Sequence, residues 1–500
     1  MLAPDPATRR DDGLVRPDAL GSAEFRADHR VRYAYVAGAM YKAIASVDLV
    51  IRMGQAGLLA YYGSGGVRPD DIAGAIDDIQ RVLGRDGVYG MNLLASLDQP
   101  RREEQTVELF LRRGVRRIEA SAFVQPSRGL VRYRLTGVRR GRDGLVSVPN
   151  LVLGKTSRPE VASTFLSPPP RHLVDALRAA GHLTEEEAAL AGEVAMADDV
   201  CVEADSGGHT DQRQMVTLLP DMVRLRDRLA ATVPGHRRTI RIGVAGGLGA
   251  PEGVAAAFVL GADFVLTGSI NQCTVEAGTS PAVKDLLELA GVQDTAMVPA
   301  GDMLEIGARA QVLRKGLFFP ARANKLYDLY RRHDSLDDLD PATRAQLEKF
   351  FRQPLADVWA QTSEYLAAHD PAALEHAGRD PKHKMALIFK WYFVQATRYA
   401  MSGDADLRTD YQIACGPAMG ALNTILEGTA RQHWRHRHVD DLAEFLMTGA
   451  AAVLTDRLAR LAGARAASPL PSTPPPAVAA PSAAPVQPVP PAPLAASRAN

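Results

Sequence analysis

The 500-residue chain has only three cysteines, Cys201, Cys273 and Cys415, and they are far apart and odd in number. That excludes a disulfide framework, a Cys-x-x-Cys site and a four-cysteine cluster, and it fits a reducing, cytoplasmic setting. Charge of one sign is missing too, since 58 Lys+Arg balance 58 Asp+Glu. Without a global basic field, the chain does not read as a general nucleic-acid binder. Long hydrophobic runs are also absent. Met1–Arg30 mixes charges of both signs with Gly, Pro and Ala and holds no apolar signal core. The most apolar window, Gly253–Ile270, is broken by Asp263 and reads as a helix followed by a strand rather than a membrane span.

What is present is enough apolar material, 46% of residues, for a large core. Eight short apolar segments punctuate the first 270 residues: Val36–Met40, Gly57–Ser64, Tyr89–Leu94, Arg117–Ala122, Leu151–Ser157, Val200–Ser206, Thr239–Gly247 and Ala262–Ser269. Their hydrophobicity is continuous rather than alternating, as parallel strands buried on both faces require. Spacers such as Pro69–Gly84, with Ile72, Ile76, Ile79 and Leu83 at helical spacing, supply the intervening helices. Eight βα units predict an α/β fold, a TIM (β/α)8 barrel over 30–320. An open doubly wound sheet is the alternative; the unit count favours closure.

Two insertions interrupt the barrel: 131–148, read as a hairpin around Gly141–Gly144, and 168–199, with helical patches. Both are expected to build a lid or substrate wall. Residues 321–463 carry helical periodicity, with Asp340-Pro341 and Asp370-Pro371 as helix starts, and predict a mainly helical C-terminal domain. Residues 464–500 are nearly all Pro, Ala, Ser and Val, the composition of a disordered tail, and 1–29 read as a second disordered end.

Chemistry concentrates at the ends of the expected strands. Gly246-Gly247 closes the seventh and Gly268-Ser269 the eighth, with a helix from Pro251 between them. Glycines there let backbone N–H groups approach a phosphate, although turn glycines alone read the same way. The loop Glu203-Ala-Asp-Ser-Gly-Gly-His209 follows the sixth strand and lifts His209 above the barrel mouth, where an imidazole can bond a cofactor or donate a proton. Glu203 and Asp205 suit acid–base work or loop orientation equally. Lys155 and Asn92 end the fifth and third strands, where an ammonium and an amide can face a reduced flavin; a salt bridge and a packing amide are the plainer readings. His433, His436 and His438 sit among Trp434, Arg435 and Arg437, which points to a solvated helix end and to no metal site.

These residues carry a resemblance. Gly38-Ala-Met40, Asn92, Lys155-Thr-Ser-Arg-Pro-Glu160, Met196–Asp211, Gly268–Gln272, Glu276–Ser280, Phe319–Arg322, Asp380–Met385 and Asp410–Met419 resemble the PfaD-type trans-acting enoyl reductases of polyketide and polyunsaturated-fatty-acid synthases. Those belong with the nitronate monooxygenase-like flavin barrels, and the likeness runs over roughly 30–460. It implies FMN, NADPH or NADH as donor, and an enoyl thioester on an acyl carrier protein, with room for a homodimer. Matching positions imply FMN contacts from Gly38, Met40, Asn92, Lys155, Gly246, Gly247, Gly268 and Ser269. His209 matches the family's active-site histidine, and the α-carbon would be protonated by His209 or by a water it positions. Under this reading the two insertions shape an acyl tunnel, and Arg132, Arg134, Arg139 and Arg140 either meet the acidic carrier or form a solvated hairpin face. A nitronate-oxidising flavoenzyme and a non-catalytic flavin-binding subunit are the rivals.

Overall fold

A computed structural model describes residues 14–95, 100–230 and 240–463. The expected tail at 464–500 and the first thirteen residues lie outside that range.

Eight strands close into a parallel barrel: β1 (Tyr35–Ala37), β2 (Leu59–Tyr62), β3 (Gly90–Leu94), β4 (Arg117–Ser121), β5 (Leu151–Thr156), β6 (Asp199–Glu203), β7 (Arg241–Ala245) and β8 (Val265–Thr267). Each coincides with one of the eight apolar segments. The order is that of the chain, and β1 closes on β8 with Tyr35 opposite Val265. Nearly every strand residue is buried, which explains why the sequence runs are continuous rather than alternating. Seven helices follow their strands in turn: α1 (Val47–Gln55), α2 (Pro69–Leu83), α3 (Pro100–Arg113), α4 (Arg128–Leu135), α5 (Pro159–Phe165), α6 (Met215–Ala230) and α7 (Pro251–Val259). Proline at the first position starts α2, α5 and α7, and the Ser46 and Ser127 hydroxyls cap α1 and α4.

Residues 14–29 are folded, against the expectation of a disordered end. The helix Ala23–His29 plugs the bottom of the barrel, with the Phe25 ring stacked on Phe264 at 4.6 Å. His29 Nε2 lies 2.7 Å from Asp199, which also receives Arg241 Nε at 2.5 Å. The mixed composition of this segment hid a short amphipathic turn whose apolar and ionic contacts come from distant strands.

Both insertions sit elsewhere than expected. The segment 131–148 begins inside α4, and only Arg139–Arg140 and Val146–Ser147 form a hairpin. Each insertion enters between a helix and the next strand, at the end of the barrel opposite the strand C-termini. There they bond each other, Arg140 to Glu193 at 2.5 Å and the Gly137 N–H to Glu187 at 2.5 Å. They form no lid over the mouth. Arg134 is buried against Asp198 at 2.6 Å and Arg132 pairs with Glu108, so neither is free to meet a carrier. Placing 131–135 in a helix turns Arg134 inward.

The mouth is covered instead by chain that follows β8. An antiparallel pair, β9 (Thr295–Pro299) and β10 (Arg309–Leu313), adds Gly208–His209 as a third short strand. Helices Phe319–Arg332, Pro341–Phe351, Leu355–His369, Pro371–Arg379 and Pro381–Ser402 then pack around a second core centred on Phe319, Phe389 and Tyr392. Asp340 and Asp370 cap their helices by accepting from Thr343 and Ala373 N–H, as their Asp-Pro pairs foretell. After residue 411 the chain rejoins the barrel core. The last helix, α8 (Val439–Leu461), buries Leu442, Leu446 and Met447 against α7 and α1. The helical segment is thus an excursion between β8 and its own barrel helix. Among the described residues no helix is long and apolar enough to cross a membrane.

Candidate active site

The strand C-termini bring most of the expected residues to one mouth. Lys155, on β5, is the electrostatic centre: its Nζ lies 2.9 Å from Glu203 on β6 and 3.3 Å from Glu119 on β4. Burial acts to lower the Lys155 pKa, but the two carboxylates outweigh it and hold the ammonium charged. Glu119 is fully buried, and burial pushes its carboxyl above the usual range, opposed in part by Lys155 and by the Ala39 N–H at 2.9 Å. That amide bond fixes the turn Gly38-Ala39-Met40 after β1, and the Gly38 N–H donates to Thr267 O at 2.9 Å. Glu119 was not singled out from sequence; inside Arg-Ile-Glu-Ala a lone carboxylate gives no signal of a partner on another strand.

Asn92, on β3, donates to Glu119 O at 3.0 Å and to Ser121 Oγ at 2.9 Å, and its own carbonyl accepts from Ser64. The loops after β1 and β2 lock together here. A Cβ on Gly63 would overlap the Met40 carbonyl oxygen, so only glycine fits.

Gly246 (φ +97°) and Gly247 (φ +73°) turn sharply after β7, and Gly268 and Ser269 turn after β8. Among the described residues no group accepts from the backbone N–H of Gly246, Gly247 or Gly268. Unpaired amides at two neighbouring strand ends, beside the start of α7, make a cradle suited to a phosphate. The donor set fits a phosphorylated cofactor such as a flavin mononucleotide, with Asn92 and Lys155 on the opposite strands. Ser269 Oγ accepts from the Gly416 N–H at 3.0 Å, so the returning chain closes over this side.

His209 stands apart from the Lys155–Glu119–Glu203 cluster, on the short strand paired with β10. Its Nε2 lies 3.0 Å from Asp302 Oδ1, in the β9–β10 turn, and the side chain is 51% exposed. The hydrogen bond to Asp302 raises the imidazole pKa against the opposing effect of burial. Asp205 accepts from Gln311 Nε2 at 2.7 Å, and Gln311 Oε1 in turn accepts from Gln212 and Thr295. Asp302 and Gln311 were missed from sequence, being about a hundred residues from their partners. His438 bonds Glu276 at 2.5 Å, and among the described residues no three side chains of metal-binding type converge.

Barrel, cradle and carboxylate-flanked lysine define the class: a (β/α)8 barrel with its candidate site at the strand C-termini. A family model described as nitronate monooxygenase matches residues 25–319, more than half of the chain, which therefore belongs to that family. A second model, described as the inserted helical domain of acyl-carrier-protein S-malonyltransferase, matches 333–411, within the helical excursion. The enoyl reductase domain of MlnA, from the macrolactin biosynthesis cluster of Bacillus amyloliquefaciens, is 40% identical with a TM-score of 0.85, covering 89% of this chain and 99% of that one. Polyketide biosynthesis protein PksE of Bacillus subtilis is 48% identical over 89% of this chain, and ThaF of Burkholderia thailandensis 47% over 90%. The chain spans only 58% and 38% of those two proteins. FabK from Thermotoga maritima, 17% identical with a TM-score of 0.51, shares the fold.

Proposed function

We propose that the protein is an FMN-dependent enoyl reductase, acting in trans on 2,3-unsaturated thioesters carried by an acyl carrier protein during polyketide or polyunsaturated fatty acid synthesis. The carrying observation is the likeness to the MlnA enoyl reductase domain over essentially its whole length, helical excursion included. FMN, when bound, relays reducing equivalents from NADPH or NADH to the double bond. Gly246, Gly247, Gly268 and Ser269 would hold its phosphate; Gly38, Met40 and Asn92 would flank its ring system. The Lys155 ammonium would face the ring and stabilise negative charge there, kept protonated by Glu119 and Glu203. His209 would hold the proton delivered to the α-carbon, with Nε2 committed to Asp302 and Nδ1 left to give it.

Mass analysis of crotonyl carrier protein after incubation with the flavin-loaded enzyme and NADPH tests this reading. Conversion to the butyryl form supports it. Oxygen uptake with a nitronate and no butyryl product would favour an oxidase, and flavin binding without either reaction would favour a scaffolding subunit.

A further inference from the structure

At the end of the barrel opposite the mouth, a cleft of about 280 Å³ opens between the helix Ala23–His29, the α2–β3 loop and the starts of β4 and β5. Four arginines line it, Arg30, Arg85, Arg116 and Arg117, against two carboxylates, Asp28 and Asp86. Asp28 is engaged by Arg241 Nη1 at 2.7 Å. Among the described residues no carboxylate forms an ion pair with any of the four guanidinium groups.

Arg117 forms the back of the cleft. It stands two residues before Glu119 on β4, so both side chains point into the barrel, Glu119 towards the mouth and Arg117 towards the floor. Arg117 is only 5% exposed. Its guanidinium meets carbonyls alone: Nη1 donates to Gly87 O at 3.2 Å and Nη2 to His29 O at 3.3 Å, while the buried Nε has no acceptor. On the same floor Arg241 Nη2 is buried without an acceptor too. Burial depresses the Arg117 pKa, and the Arg30 charge adds to that effect. A buried guanidinium on two long carbonyl bonds, with a donor left over, is costly unless an anion completes it.

The other three arginines are placed around it at the rim. Arg30 ends the helix Ala23–His29 in the left-handed region (φ +59°), and its Nη2 donates to the Asp86 carbonyl. Arg116 Nη1 donates to Asn150 Oδ1 at 3.0 Å. The Arg85 guanidinium lies over Gly114, where a Cβ would stand 2.8 Å from its Nε. A guanidinium carries more N–H donors than these contacts use.

We infer that this cleft binds a small oxyanion of the phosphate class, the size of inorganic pyrophosphate, with Arg117 at its back and Arg30, Arg85 and Arg116 at its rim. Guanidinium forks bond phosphate oxygens in pairs, which suits a site built from arginine alone. The volume lies at the lower end of ligand sites, room for the anion without a nucleoside. The N-terminal ends of barrel strands serve stability rather than chemistry. A bound anion there would tie the helix Ala23–His29 and the α2–β3 loop to β4. The inference is independent of the reductase reading.

Titration calorimetry of the flavin-loaded full-length protein with inorganic pyrophosphate tests it, the flavin keeping the cradle at the mouth filled. Wild type should bind saturably, and more weakly as KCl is added. Its melting temperature should rise with pyrophosphate, and not with KCl at equal ionic strength. Arg117→Met should abolish both effects. Arg85→Met and Arg116→Met, at the exposed rim, should each weaken binding about tenfold, the size of one charge-assisted hydrogen bond. They decide the matter even if Arg117→Met does not fold. Absence of saturable binding by wild type, or unchanged affinity in both rim variants, would overturn the site. ADP bound more tightly than pyrophosphate, with the same dependence on the rim arginines, would overturn the assignment to a small anion.

Discussion

Lys155 Nζ sits between two carboxylates from the strands on either side, 2.9 Å from Glu203 and 3.3 Å from Glu119. The ammonium neutralises one buried negative charge and shares the other. Replacing Lys155 by Met leaves Glu119 buried without its cation, which costs about 3–5 kcal/mol. Lys155→Met should therefore lower the melting temperature and weaken flavin retention, and adding Glu119→Gln should recover part of the stability but not the flavin. Thermal denaturation and the visible spectrum check both. Unchanged flavin affinity in the single variant would remove Lys155 from the cofactor site.

At the other end of the barrel, burial acts to raise the Asp199 pKa, but Arg241 and His29 outweigh it and hold it at about 2. A depressed carboxylate contributes stability above its unfolded pKa, about 3.9, and loses it as pH falls through the folded value. The unfolding free energy should thus fall between about pH 4 and pH 2 partly through this residue. Asp199→Asn should flatten that part of the profile while costing about 3–5 kcal/mol at neutral pH. Denaturant titrations across the acid range measure both.

The His209–Asp302 pair predicts a pH effect of opposite sign. Asp302 raises the His209 pKa, so the imidazolium persists to higher pH than in a free histidine. If the imidazolium supplies the proton, activity falls as pH rises through that pKa. Asp302→Asn should move the alkaline limb of the kcat profile to lower pH, with the flavin spectrum unchanged. An unshifted limb would assign Asp302 to holding the β9–β10 turn only.

Gly249 marks where the returning chain closes on the barrel, since a Cβ there would overlap the Ala418 carbonyl oxygen. Gly249→Ala should cost about 1–3 kcal/mol through overpacking, and it should loosen the 411–419 segment more than the barrel strands. Hydrogen exchange resolves the two regions.

The barrel was legible because strands buried on both faces must be continuously apolar, and each of the eight left such a run. The Gly246-Gly247 pair after β7 was legible for a related reason: both residues take a positive φ, which glycine adopts freely. The return of α8 to the barrel was not. Val439–Leu461 has the periodicity of any packed helix, and nothing local says that its partners are α7 and α1, which lie far earlier in the chain. The insertions were visible as interruptions, but which end of the barrel they occupy depends on whether they follow a strand or a helix. Reading 131–135 as hairpin rather than α4 obscured that. Of the site, His209 and Lys155 stood out by context, whereas Glu119 and Asp302 gain meaning only from the partners the fold supplies.

The most direct test of the whole account is a single reductive cycle watched by the flavin spectrum. FMN-loaded protein is bleached with one equivalent of NADPH without oxygen, then mixed with crotonyl carrier protein. The account predicts that the yellow spectrum returns as butyryl carrier protein forms in equal amount. Colour that returns only when oxygen is admitted, with the crotonyl thioester intact, would contradict it.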